Sequence, residues 1–186
     1  MLLSLLKELD GHEVNVIDDG SDYQPFEMQN YCTYYRYRHG GKREFWKQWQ
    51  RAIELCKKSD AEFFIFLPDD VRNIDVEAIK RDYRSGTCLR VLEVGRDRGW
   101  TRKGYVDGAF ACDREVLDQI EIKPVPRYRF NDPYISSGVG QQMSKLFAEK
   151  GIEMIKGNYC IHGDHESVMN PEERKRNPLS NEPRKF

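Results

Sequence analysis

Two apolar runs in this 186-residue chain stop at paired carboxylates. "VNVIDD" ends at Asp18 and Asp19, and "FFIFLPDD" ends at Asp69 and Asp70. Both runs have the β-branched or aromatic content of buried strands. In an α/β sheet, ligands bind outside the carboxyl ends of the strands, so both acid pairs are expected at one crevice. Carboxylates gathered there without compensation would raise one another's pKa, and a positive partner is therefore expected. Mg²⁺ or Mn²⁺, held by carboxylates together with the phosphate oxygens of a substrate, meets that need. Aspartates also serve as turn formers and helix caps. Their recurrence at two strand ends is what favours the metal.

Other chemistry-bearing residues lie in loops. "IHGDHES" places His162 and His165 just past the last predicted strand, a spacing that a loop without a ligand also shows. The basic stretches "RYRHGGK", with Arg36 and Lys42, and "GRDRGWTRKG" offer charge to a diphosphate, and their glycines permit movement.

The elements that would position these groups follow from periodicity. Leucines at 2, 3, 5, 6 and 9 predict an opening helix that stops at Gly11. Strands are predicted at Val14 to Asp18 and in "CTYYRYR". A helix from Arg43 to Lys58 presents Phe45, Trp46, Trp49, Ile53 and Cys56 on one face, and "EFFIFL" follows as a buried strand. A helix at about Asp75 to Tyr83 precedes the strand "TCLRVLEV". "YVDGAFACD" then feeds the short helix "REVLDQI", and Val139, Met143, Leu146 and Phe147 mark a helix ending at Gly151. "IEMI" and "YCI" read as two short closing strands. The alternation predicts an α/β sandwich with a mostly parallel sheet over residues 1–165, then a polar, proline-punctuated tail over 166–186.

Composition bounds the partners. Thirty basic against thirty-one acidic residues and a pI of about 6.4 give no broad positive field for nucleic acid. Five scattered cysteines without a CxxC pair indicate neither a disulfide framework nor a zinc ribbon. With no apolar run of membrane-spanning length and no secretory leader pattern, the expectation is a soluble, cytoplasmic chain.

The order "VNVIDDGSD", "FFIFLPDD", "GAFACDREVL" resembles the core of nucleotide-sugar glycosyltransferases of the GT-A fold, particularly those similar to the family-2 group. Members of that group carry a strand ending "VDDGSxD", a DxD-type strand end and a later "FRREVL" segment. The resemblance implies a GT-A-like, Rossmann-like three-layer sandwich. It also implies a nucleotide-sugar donor, UDP-linked as the first choice, and a hydroxyl acceptor. Asp18 or Asp19 would contact the uracil or ribose, while Asp69 and Asp70 stand at the metal-binding motif and His162 or His165 completes the metal shell. The family's catalytic base comes from an "ED" pair ahead of the last helix. Here "NDPYISSGVGQQ" takes its place, which leaves Asp132 and Asp107 as candidates, or a retaining mechanism that needs no such base. The family's first strand precedes the opening helix, whereas Met1 falls inside that helix. Either the chain is begun too late to include that strand, or the sheet closes with "VNVID" directly beside "FFIFL".

Three other readings compete. A phosphoacceptor receiver domain would use Asp18, Asp19, Asp69, Thr87 and Lys123-Pro124, but it places its acid pair before the first helix. A nucleotidyltransferase would show a "GxGxR" signature, which is missing. A non-catalytic sugar-nucleotide-binding relic would bind donor without turnover.

Overall fold

The computed structural model describes residues 2–18, 26–37, 45–69, 71–92, 109–124 and 139–162. Helix α1 (Leu2–Glu8) buries Leu5 and Leu6. Strand β1 (Asn15–Asp18), a 3-10 turn (Phe26–Asn30) and strand β2 (Thr33–Arg36) follow. Helix α2 (Phe45–Lys58) leads into β3 (Phe63–Phe66) and the two-residue β4 (Val71–Arg72). Then come α3 (Val76–Asp82), β5 (Cys88–Leu92), β6 (Phe110–Asp113), α4 (Arg114–Gln119), α5 (Val139–Lys150) and β7 (Met154–His162).

Local chemistry explains several boundaries. The Asp75 carboxylate caps α3 by accepting from the Ala78 N–H at 2.8 Å, and Asp113 does the same for α4 through Val116 at 3.0 Å. Helix α5 ends in a Schellman turn. Ile152 N–H reaches Phe147 O at 2.8 Å, and Gly151 takes the left-handed conformation this requires, with φ 70°.

Helices cover both faces of the sheet. On one face Ile53 of α2, Val116 and Leu117 of α4, and Val139, Met143 and Phe147 of α5 pack against Phe64, Phe66, Phe110 and Cys112. On the other, Leu5 and Leu9 with Val76 and Ile79 of α3 pack against Leu89, Val91 and Ala111, and Phe63 and Ile65 join them. The alternation of β3 and β6 side chains between these two cores is the two-residue period of a strand buried on both sides.

Strand order in the main sheet is β3-β6-β5-β7-β4. Only β5 and β7 pair in parallel, so the sheet is mixed and mostly antiparallel, unlike the mostly parallel one expected. Helix and strand alternation fixes strand direction only where a helix crosses over between consecutive strands. No helix among the described residues separates β5 from β6, and β6 runs against both of its neighbours. The two closing strands expected are one nine-residue β7. Gly157 does not break it, because the β5–β7 register shifts between Arg90 and Leu92 and the missing Cβ lets the backbones approach; a Cβ there would lie 2.8 Å from Arg90 O.

Strands β1 and β2 form a separate parallel pair, Asn15 opposite Thr33 through Asp18 opposite Arg36. The expected closure of β1 directly onto β3 is therefore absent. Among the described residues no helix is long and apolar enough to cross a membrane.

Candidate functional site

Strands β1 and β3 run the same way beneath α2. Their starts lie at its C-terminal end: Glu13 is close enough to Cys56 to raise its thiol pKa, and Arg114 ties Cys56 O to Ala61 O just ahead of β3. Their far ends lie toward its middle. There Arg51 covers the Tyr37 ring at 5.6 Å, and Trp49 meets Phe66 at 5.9 Å between ring centroids. The ends of β1 and β3, one at Asp18 and the other three residues ahead of Asp69, thus both lie toward the middle of α2.

Asp18 closes β1 and is held by β2. Its Oδ2 accepts from the Tyr34 hydroxyl at 2.7 Å and lies 3.8 Å from Arg36 Nε, and its carbonyl accepts from Tyr37 N–H at 2.9 Å. The Asp18 side chain is 11% exposed and Arg36 34%, so the acid is nearly covered while the guanidinium stays within reach of solvent. Two residues expected to meet the nucleotide are brought together here by parallel register. Tyr34 is the partner that sequence reasoning missed. Its place at every second residue with Arg36 on a strand was the available signal, but only the register shows that it faces Asp18.

Asp69 sits on the exposed turn after β3. The short β4 then pairs antiparallel with the end of β7, Val71 opposite His162 and Arg72 opposite Ile161. That pairing sets the His162 backbone beside the acidic turn, although nearly a hundred residues separate them in sequence. The His162 side chain, and Asp19, Lys42, Asp70, Asp107, Asp132 and His165, lie outside the described residues. Among the described residues no three His, Cys, Asp or Glu side chains converge as metal ligands. Asp69 alone of the expected metal ligands has a described side chain, an exposed carboxylate of the type hard divalent cations take.

Other reactive groups are structural. Burial pushes the Cys56 and Cys160 thiols up to about 11 and Cys88 to about 12, and holds Cys112 well above the ordinary thiol value, so none of these supplies a thiolate at neutral pH. Asp113 anchors a turn. Burial alone would raise its carboxyl, but donors from Gly86 N–H at 2.7 Å, Val116 N–H and Ser85 Oγ at 2.8 Å outweigh that and hold it below the ordinary value. Comparison with protein-family models, curated proteins and solved structures finds no match.

Proposed function

We propose that this chain is a metal-dependent glycosyltransferase of GT-A-like architecture that moves a sugar from a nucleotide donor, UDP-linked, to a hydroxyl acceptor. The observation that carries this reading is the β4–β7 pairing. It puts the backbone of His162 opposite Val71, two residues past Asp69. Asp18, which accepts from Tyr34, would accept hydrogen bonds from a uracil N–H or ribose hydroxyl, and Arg36 would meet a phosphate oxygen. Asp69, Asp70 and His162 or His165 would hold Mn²⁺ or Mg²⁺. The bound cation would neutralise charge growing on the diphosphate as the sugar bond breaks. Asp132 and Asp107 remain the candidates for taking the acceptor proton.

The separation of β1 from β3 favours a second reading, a nucleotide-sugar-binding protein without turnover, because it divides the layer that carries both acidic ends. A receiver domain fits less well, since the main sheet is mostly antiparallel. Incubating the chain with a panel of UDP- and GDP-sugars and Mn²⁺ and measuring released nucleoside diphosphate separates the two. Release that stops in Asp69→Ala supports the transferase. Binding without release assigns the second reading, and neither binding nor release removes both.

A further inference from the structure

Two cysteines that the sequence scatters face each other across neighbouring strands of the main sheet. Strand β6 pairs antiparallel with β5, Leu89 opposite Ala111 and Arg90 opposite Phe110, so the next step along the same register sets Cys88 opposite Cys112. Hydrogen bonding fixes which kind of pair this is. Val91 N–H donates to Ala109 O at 3.0 Å, which makes those two a hydrogen-bonded pair, and every second pair from there is of the same kind. Cys88 and Cys112 fall in the other set. Their backbones turn outward, Cys88 N–H to Glu153 O at 2.9 Å ahead of β7 and Cys112 toward its partner Phe64 of β3. In a non-hydrogen-bonded pair the Cα atoms are about 4.5 Å apart and the side chains are at their closest.

Both side chains enter the same core, covered by α2, α4 and α5, and both are fully buried. After burial itself, the charge of Cys88 acts most strongly on the Cys112 thiol, ahead of Asp113 and Cys56. Beyond this pair the ladder is held open by a side chain. Tyr83 Oη accepts from Asp113 N–H at 2.8 Å and donates to Thr87 O at 2.9 Å, so a hydroxyl stands where a direct bond between Thr87 and Asp113 would close the strands. That wedge widens the strands beside the thiols. Disulfides span Cα separations of about 4.4–6.8 Å, most often about 5.5–6 Å, so widening from about 4.5 Å moves the pair toward the preferred span.

We infer that Cys88 and Cys112 are a disulfide-forming pair, which a low-molecular-weight disulfide such as oxidised glutathione converts to a cross-strand bond within the native fold. The thiolate of one cysteine attacks a sulfur of oxidised glutathione and releases one glutathione thiolate. The second cysteine then gives up its proton, attacks the protein sulfur of the mixed disulfide and releases the other. Two protein thiols become one disulfide, and one oxidised glutathione becomes two reduced ones. Because both sulfurs are buried, exchange proceeds while the β5–β6 ladder is open, during folding or in a local opening, and the closed bond is then sheltered from reductant. The bond fixes the register of β5 on β6, the strand that leads directly into α4.

The test uses the full chain, refolded from urea in a mixture of reduced and oxidised glutathione and, in parallel, held folded with oxidised glutathione. Free thiols are alkylated under denaturing conditions, and the chain is digested without reductant and mapped by mass spectrometry. The expected product is a linked peptide joining Cys88 to Cys112, formed at least ~10-fold more slowly in the folded chain than on refolding. Its cooperative thermal transition is kept, and Tm rises by about 5 °C over the reduced chain. Cys88→Ala and Cys112→Ala each remove the linked peptide, whereas Cys56→Ala leaves it in place. Cys88 and Cys112 recovered fully alkylated from both treatments, or Cys112 linked to Cys56 instead, overturns the pair. A linked chain whose Tm falls below that of the reduced chain shows a bond that the native register does not hold, and overturns it as well.

Discussion

Asp18 draws its reach from a tyrosine two residues from its cross-strand partner. Tyr34→Phe removes the 2.7 Å hydrogen bond and frees the carboxylate to turn toward Arg36. The expected result is UDP affinity lowered ~5-fold with about 1 kcal/mol of stability lost, read by calorimetry and urea unfolding. Asp113 sets a pH dependence. Its folded pKa is depressed, so the stability it contributes is present above the unfolded carboxyl value of about 3.9 and is lost as pH falls through the folded value. Thermal unfolding should therefore show a steeper loss of Tm below about pH 4 in the native chain than in Asp113→Asn. At pH 7, Asp113→Ala is expected to cost about 1–2 kcal/mol through the lost cap. Equal acid slopes in the native chain and Asp113→Asn would remove Asp113 from this role.

At the level of elements, α2 and α4 are joined by reciprocal capping. Arg114, at the start of α4, donates to the carbonyls of Cys56, Ser59 and Ala61 and stacks over Phe64 at 4.8 Å. Lys57, at the end of α2, donates to Asp118 O and Ile120 O at 3.1 and 2.9 Å. Arg114→Ala strands three partly buried carbonyls and is expected to cost about 2–3 kcal/mol. Arg114→Lys should restore little of it, because a single ammonium lacks the guanidinium fork. Urea unfolding of both variants checks this; full recovery in the lysine variant would show that charge alone suffices. The helices themselves were legible, since Trp46, Trp49, Ile53 and Cys56 repeat at helical spacing and Asp75 and Asp113 stand at cap positions. Strand direction was not, because "FACD" reads the same whether it runs with its neighbours or against them. Val71-Arg72 is too short to show a period, and "IEMI" and "YCI" gave no sign of joining across the register shift between β5 and β7. For the site, the acidic strand ends were visible in sequence. The company of Tyr34 with Asp18, and of His162 with Val71, depends on register between distant segments.

Across the whole molecule, two groups of strands share the cover of α2, and each carries an acid at a strand end. Asp18 belongs to the pair and Asp69 to the five-stranded sheet, so a nucleotide that uses both would bridge them. Division of labour follows. Asp18→Ala should weaken UDP binding with or without metal, whereas Asp69→Ala should remove only the metal-dependent part. The measurement closest to the central claim is calorimetric titration with UDP in the presence and absence of Mn²⁺, on the native chain and on the Asp69→Ala, Asp70→Ala double variant. The account predicts binding strengthened at least ~10-fold by Mn²⁺ in the native chain and no metal effect in the double variant. Metal-dependent binding that survives in the double variant, or no UDP binding under any condition, would contradict it.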